Sequence, residues 1–375
     1  MKAVIAVISD LSTDMRVRKQ ALLLAGEGFS VTVIGRSSGS HLTPDMPGVK
    51  IYKLKVPCRK GPAMYLFFNF FLLIRLLFMR YDICVSCDLD TLIPCFLVSR
   101  MTGTKLVYDS HEYFTGQQGL AERKIKYALW KKAERMIVPK INHMITVSQS
   151  IADIYRNEYG VNPLVIRNVA SSVARLVPHD RYELGAGDDE LLIVLQGSGI
   201  NAGRGATELI EAVKRLERVR LLIIGSGDII ESLHLRERKP GAETNMIFLP
   251  RMTWEEMMRY TMCCDAGLSL DTDTCINQRY SLPNKLFDYI AAGIPAVVSP
   301  LPEVSAIIEM YGCGLVLDEV TPDAIAGQLE RLRDDRSLLR ELKKKALEAG
   351  RELNWEKEMV KEQEFFRSVT HAKSE

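Results

Sequence analysis

The segment SLPNKLFDYIAAGIPAVVS, Ser281 to Ser299, brings a lysine, a carboxylate and a helix start within a few residues of one another. Pro283 can occupy a first helical turn, where its missing N–H costs nothing. Asn284 and Lys285 then stand beside free backbone donors at the positive end of the helix dipole, and Asp288 follows one turn later. A helix start carrying a lysine suits an anion, and a neighbouring carboxylate suits hydroxyl groups. A nucleotide offers both, although an ordinary capped helix reads the same way. A second candidate is GSGINAGRG, where Gly197, Gly199, Gly203 and Gly205 surround Arg204. The glycines let backbone approach a ligand, and Arg204 offers phosphate a two-pronged fork at the start of the helix ATELIEAVKRL. The spacing is neither GxGxxG nor a phosphate loop ending in GKS/T, which argues against dinucleotide oxidoreductases and P-loop NTPases. Jointly, Gly203, Arg204, Asn284 and Lys285 read as a diphosphate site.

In the first half, chemical groups collect in VSCDLDTL and VYDSHEYF, both strand ends running into polar residues. His111 stands there with Asp109 and Glu112 beside it. The residues alone leave a structural and a functional histidine equally open. Asp88 and Asp90 read either as caps of the helix TLIPCFLVSR or, with Asp10 in SDLSTDMRV, as chemical groups at strand ends. Ser148 in ITVSQSIADIY reads as a helix cap and nothing more.

Positioning these groups requires strand ends and helix starts, and the chain supplies them in alternation. β-branched runs recur at VIAVIS, VTVIG, ICVS, KLVYD and MITVS, then at LLIVLQ, RLLIIG, MIFLP, AGLSL, PAVVS and GLVL. Helical stretches of ten or more residues separate them, so both halves read as doubly wound α/β domains with parallel sheets. In such sheets ligands sit at the carboxyl ends of strands. At 375 residues the chain is too long for one ordinary core. Lys and Arg outnumber Asp and Glu by 23 to 13 over residues 1–170, whereas the remainder holds 26 against 34. That asymmetry supports a boundary near residue 170 and suggests that one half faces something anionic. The polar, Gly-rich stretch 168–190 reads as a linker. Domains are therefore expected at 1–170 and 171–350, followed by an amphipathic helix in 351–375. MKAVIAVISD lacks a small-residue cleavage site and reads as a first strand. The eight cysteines are scattered through apolar runs, which suits a reducing cytoplasm, and the one CxxC, Cys84 and Cys87, has no second CxxC to complete a zinc site. Neither a metal nor a nucleic acid is expected as a partner.

With these motifs in hand, the chain resembles the retaining glycosyltransferases of family 4, whose GT-B fold sets two Rossmann-like domains facing across a cleft. The likeness runs through DMRVRKQALLLAGEGFSVTVIG, YDSHEYF, MITVSQSIADIY, VIRNV, GRGATELIEAV and LLIIGSGD, and is most specific in LPNKLFDYIAAGIPAVVS. The resemblance implies a nucleotide-diphosphate sugar as donor and a saccharide or lipid-linked acceptor. It implies that the donor diphosphate lies in the cleft against Arg204 and the Lys285 helix start. Asp288 matches the carboxylate that holds the ribose hydroxyls, and His111 the first-domain histidine that reaches the donor sugar. The final helix resembles the one that returns to the first domain. Two features depart from the family pattern. Tyr280 stands where a carboxylate usually holds the transferred sugar, with Asp271, Asp273 and Gln278 upstream as substitutes, and SDLSTD is not Gly-rich. The resemblance implies transfer with retention and without a cofactor, because fixed cations and helix-end N–H groups can stabilise a departing diphosphate. A UDP-sugar 2-epimerase of the same architecture, or a binding protein with a degenerate donor site, are the alternatives.

One stretch concerns location. Between Asp45 and Asp82 there is no acidic residue, while seven bases occur, and AMYLFFNFFLLIRLLFM lies inside. Its 17 residues with a central Arg75 fall short of the roughly 20 that a membrane span needs. The later stretch ERKIKYALWKKAERMIVPK adds seven Lys/Arg against two Glu. The first domain is therefore expected to dock on the anionic inner face of a membrane from the cytoplasm, through bases that include Lys124, Lys131 and Lys132.

Overall fold

The computed structural model describes residues 1–9, 11, 14–37, 46–58, 60–230 and 245–371; Asp10 lies outside the described residues. The chain forms two compact units, Met1–Arg167 with Met359–Glu375, and Asn168–Glu358.

The first unit is built on a seven-stranded parallel sheet in the order β3-β2-β1-β4-β5-β6-β7. Its strands are β1 (Lys2–Ala6), β2 (Ser30–Arg36), β3 (Val49–Leu54), β4 (Ile83–Cys87), β5 (Lys105–Ser110), β6 (His143–Thr146) and β7 (Leu164–Val165). β4 is buried along its whole length, as a central strand covered on both faces must be. The helices are α1 (Met15–Gly26), α2 (Pro62–Leu77), α3 (Leu89–Thr102), α4 (Lys124–Ile137) and α5 (Gln149–Tyr159). The sheet order reverses after β3, so right-handed crossovers place α1 on one face and α2 to α5 on the other. The later part of the Trp355–His371 helix packs on α1: Gln20 Nε2 donates to Glu362 Oε1 at 2.8 Å, and Arg367 forks onto Glu27 at 2.9 and 3.0 Å. As expected, Ser148 caps α5, accepting from the Ile151 N–H.

The second unit holds a six-stranded parallel sheet ordered β10-β9-β8-β11-β12-β13. Its strands are β8 (Leu191–Gly197), β9 (Val219–Gly225), β10 (Met246–Leu249), β11 (Ala266–Ser269), β12 (Ala296–Val298) and β13 (Gly314–Val316), matching the six apolar runs of this half. α6 (Ala206–Val213) follows the glycine loop after β8. Separate apolar clusters fill the two faces, one around Ile193, Leu209 and Leu329, the other around Leu286, Phe287 and Tyr289.

The boundary falls between Arg167 and Asn168, close to the expected 170. Other expectations need correction. The return to the first unit begins at Met359 and not at 351, because Trp355 packs on the second unit's core and its N–H donates to Ala170 O at 2.9 Å. Residues 168–190 are no free linker: Val169, Ala170 and Ala186 are buried in that core, and Arg181 pairs with Asp265 at 3.1 Å. The edge strands β3 and β7 are additions to the five strands read in the first half. Lys131 is buried, with its ammonium on Glu134 at 2.7 Å, Glu158 at 2.7 Å and the Tyr113 hydroxyl at 2.8 Å, so it cannot face an anionic surface.

Two loops at the carboxyl edge of the second sheet approach so closely that only glycine fits. Gly225 has φ of 136°, and a Cβ there would lie 1.8 Å from the carbonyl oxygen of Gly197. Backbone cannot yield as a side chain can. Gly225→Ala should therefore destabilise the second unit by more than about 1–3 kcal/mol. A thermal melt indistinguishable from that of the unaltered chain would show that the two loops can separate.

Candidate functional site

In the second unit, the loop after β8 and the helix Asn284–Ala292 converge on Asp271, which lies just beyond β11. Asp271 is 2% exposed. Its Oδ1 lies 3.1 Å from Arg204 Nη1 and its Oδ2 2.9 Å from Lys285 Nζ. Two cations that stand 81 positions apart in sequence thus share one buried carboxylate. Arg204 keeps 39% of its side chain in solvent, so its fork retains an open side. Thr272 fastens the glycine loop beside them, donating to Gly203 O from its N–H at 3.3 Å and its hydroxyl at 2.7 Å. Gly203 itself has φ of 76°.

Pro283 proves to be the residue before the helix and not its first turn, and it supplies no side-chain cap. Asn284 opens the helix, and its side-chain oxygen accepts from Asn168 Nδ2 at 3.0 Å. One turn on, Asp288 is buried to 7% and held from two sides. The Trp254 indole N–H donates to Oδ1 at 2.9 Å, and Gln196 Nε2 donates to Oδ2 at 3.1 Å. Gln196 is aimed in turn by Thr261, whose hydroxyl donates to its Oε1 at 2.6 Å. These donors orient the carboxylate, and each carboxylate oxygen can accept more than one hydrogen bond. Trp254, Gln196 and Thr261 were not foreseen, since no motif marks them. Tyr280 is half-buried at the end of the short helix Ile276–Arg279. Gln278 is turned to Thr274, and Asp273 pairs loosely with Arg279 at 3.7 Å.

In the first unit, β4 and β5 deliver Asp88, Asp109 and His111 to one carboxyl edge. Asp109 is fully buried. Arg16 grips both of its oxygens, at 3.1 and 2.7 Å, and Gln20 donates to one of them at 3.0 Å. The arginine and a histidine contact hold its carboxyl, despite burial, well below the usual carboxylate range. Asp88 stands at the start of α3 but makes no capping bond there. Instead its Oδ1 accepts the His111 backbone N–H at 2.9 Å, from a backbone φ of 60° that non-glycine residues seldom adopt. The His111 ring lies between the two carboxylates, Nδ1 3.6 Å from Asp88 and Nε2 3.4 Å from Asp109. Burial alone would lower its pKa, but the charges of Asp88 and Asp109 raise it well above the ordinary imidazole value. Burial pushes the Asp90 carboxyl well up, with Asp88 adding to the effect. Asp90 is thus a buried helix residue, and Asp10 lies outside the described residues.

Residues 179–349 match the family described as glycosyl transferases group 1, and residues 15–169 match glycosyltransferase family 4. No curated protein matches the chain in sequence. Solved structures match it over nearly its whole length. A sucrose-phosphate synthase from Thermosynechococcus elongatus aligns with TM-score 0.78 at 14% identity, covering 100% of both chains. Anabaena HepE in complex with UDP and glucose aligns with TM-score 0.76 at 14% identity, over 99% of this chain and 100% of that one. WaaG, a glycosyltransferase involved in lipopolysaccharide biosynthesis, aligns with TM-score 0.73 at 14% identity, over 99% of this chain and 100% of that one. At such identities the likeness is one of fold.

The electrostatics of His111 can be checked directly. A raised folded pKa means that this group stabilises the fold fully below the free imidazole value of about 6.5 and ceases to do so as pH rises through the folded value. An NMR titration should find the His111 midpoint above about 6.5. A midpoint at or below that value would show that burial, and not the two carboxylates, governs the ring.

Proposed function

Since the chain belongs to the family 4 glycosyltransferases of the GT-B fold, we propose that it transfers a hexose-type sugar from a nucleotide-diphosphate sugar to a saccharide or lipid-linked acceptor, with retention, in the making of a surface polysaccharide or glycolipid. The observation that carries this reading is the Arg204–Asp271–Lys285 cluster at the mouth of a glycine loop and a helix start. Glycosyl transfer must stabilise a departing diphosphate and an oxocarbenium-like sugar. Two fixed cations and free helix-end N–H groups meet the first demand as negative charge grows on the leaving group, and they do so without a metal or a cofactor. Asp288, aimed by Trp254 and Gln196, takes the ribose hydroxyls. UDP in the complex of the Anabaena neighbour supports a nucleotide donor here. Tyr280 and Asp271 are the candidates nearest the transferred sugar, and Asp271 acts there chiefly through the cations it holds. His111 is assigned the catalytic part played by the first unit, as a charged donor, because the ionised Asp109 beside it favours the protonated ring, while burial pushes the neighbouring Asp88 carboxyl up to about 7. The lipid-linked form of the acceptor places the work at the cytoplasmic face of a membrane.

Incubation with UDP-, GDP- and ADP-sugars tests the reading against its rivals. Transfer to an acceptor supports it, whereas epimerisation of the free nucleotide sugar, or no reaction with any of them, would overturn it. Charge-assisted hydrogen bonds are worth about 1.5–3 kcal/mol each, so Arg204→Ala and Lys285→Ala should each weaken nucleoside-diphosphate binding by roughly tenfold or more. Unchanged affinity in both variants would remove the diphosphate from this site. His111→Ala should depress kcat while leaving nucleotide affinity close to its original value. Turnover surviving within about threefold would make His111 a structural residue.

A further inference from the structure

Three neighbouring helices of the first unit, α2, α3 and α4, carry exposed apolar side chains at helical spacing. On α2, Met64, Phe68, Leu72 and Leu76 are buried, while Leu66 and Phe70 point outward and Phe78, just past the last turn, is 84% exposed. α3 packs on both other helices and presents Leu97 and Met101. α4 presents Ile125, 82% exposed, and Leu129 one turn on. Tyr65 of α2 meets Trp130 of α4 edge-on, with ring centroids 6.0 Å apart, so the outer helices are also in contact. Single exposed apolar residues are ordinary; a run of them over adjoining helices is an interaction surface.

The charges on these helices have one sign. α2 contains no acidic residue. The only acid of α3 is Asp90 and the only acid of α4 is Glu134, and both are buried. Every exposed ionisable residue on α3 and α4 is therefore a base: Arg100 on α3, and Lys124, Lys132 and Arg135 among those on α4. Lys132 follows Leu129 on the same stripe of α4. A second copy of the chain is a poor occupant, because a two-fold contact would set these bases against one another. A surface that is apolar inside and anionic at its rim satisfies both features. Among the described residues no helix is long and apolar enough to cross a membrane, so contact by this face is contact at the interface.

We propose that the exposed face of α2, α3 and α4 docks on anionic lipid, with Leu66, Phe70, Phe78 and Leu129 entering the interface and Lys124 and Lys132 meeting headgroups. The proposal stands independently of the transfer chemistry, since its readout needs no donor or acceptor. The full chain would be sedimented with vesicles of phosphatidylcholine alone and of phosphatidylcholine with phosphatidylglycerol. Binding is expected only to the anionic vesicles, falling as salt is raised. Near-surface bases contribute about fivefold each, so Lys124→Glu with Lys132→Glu should weaken partitioning by more than about tenfold. Phe70→Ser with Leu129→Ser should weaken it as well. Both pairs alter exposed side chains, and unchanged melting and nucleotide affinity would confirm that the fold and the second unit are intact. A chain that stays in the supernatant at low salt, or partitioning indifferent to both pairs, would overturn the proposal. So would a dimer in sedimentation equilibrium that Phe70→Ser with Leu129→Ser turns into a monomer, since a second copy would then be the occupant.

Discussion

A carboxylate removed from water must be paired, and the structure of the second unit turns on how Asp271 meets that demand. Its two oxygens are divided between Arg204, from the glycine loop after β8, and Lys285, from the Asn284–Ala292 helix. Breaking such a pair by removing one partner costs several kcal/mol, about 3–5 for a fully buried one. Side chains that would otherwise range freely are therefore held at one edge of the sheet. Their entropy is lost on folding and not on binding, which is the condition for a site that recognises an anion without rearrangement. The glycine loop is drawn to the same point through Thr272 and Gly203.

The first unit meets the same constraint in the same way. Asp109, wholly buried at the end of β5, is gripped by Arg16 and Gln20 from α1, and the contact leaves a share of its charge for His111. Gln20 extends the network to Glu362 of the returning helix, where burial pushes the carboxyl up to about 7. In each sheet a sequestered carboxylate thus fixes the direction of a more exposed cationic group. Asp288 is a further buried carboxylate, oriented by the Gln196 amide and the Trp254 indole. Under the proposed function, the fixed positive groups would meet the leaving group and the fixed carboxylate the hydroxyls of a nucleotide sugar.

Much of this was legible in the sequence. Short β-branched runs such as LLIVLQ, spaced by helical stretches, read as buried strands, and all six runs of the second half became strands in a parallel sheet. Arg204 and Lys285 were readable because glycines and a helix start flag places where backbone and charge meet an anion. What the sequence hid depends on tertiary adjacency. Trp254 lies 34 positions from the carboxylate it orients, and nothing local marks it as polar in function. Asp271 read as a substitute for the carboxylate that Tyr280 replaces, and nothing local showed that two cations would allow it to be buried. The two-residue β7 is too short to carry a period, and β3, at the sheet's edge, alternates half-buried and exposed positions until the buried Leu54. Lys131 looked like one more base on a basic helix until Glu134 and Glu158 enclosed it.

The central claim is that the paired cations of the second unit recognise a diphosphate. Calorimetric affinities of a nucleoside, its monophosphate and its diphosphate test it most directly, measured on the unaltered chain and on Arg204→Ala with Lys285→Ala. The account predicts that the second phosphate tightens binding by roughly tenfold or more, as one charge-assisted hydrogen bond would. It predicts further that this increment disappears in the double variant, compared at a temperature where melting shows that variant folded despite the carboxylate it leaves unpaired. Equal affinity of the unaltered chain for monophosphate and diphosphate would contradict it.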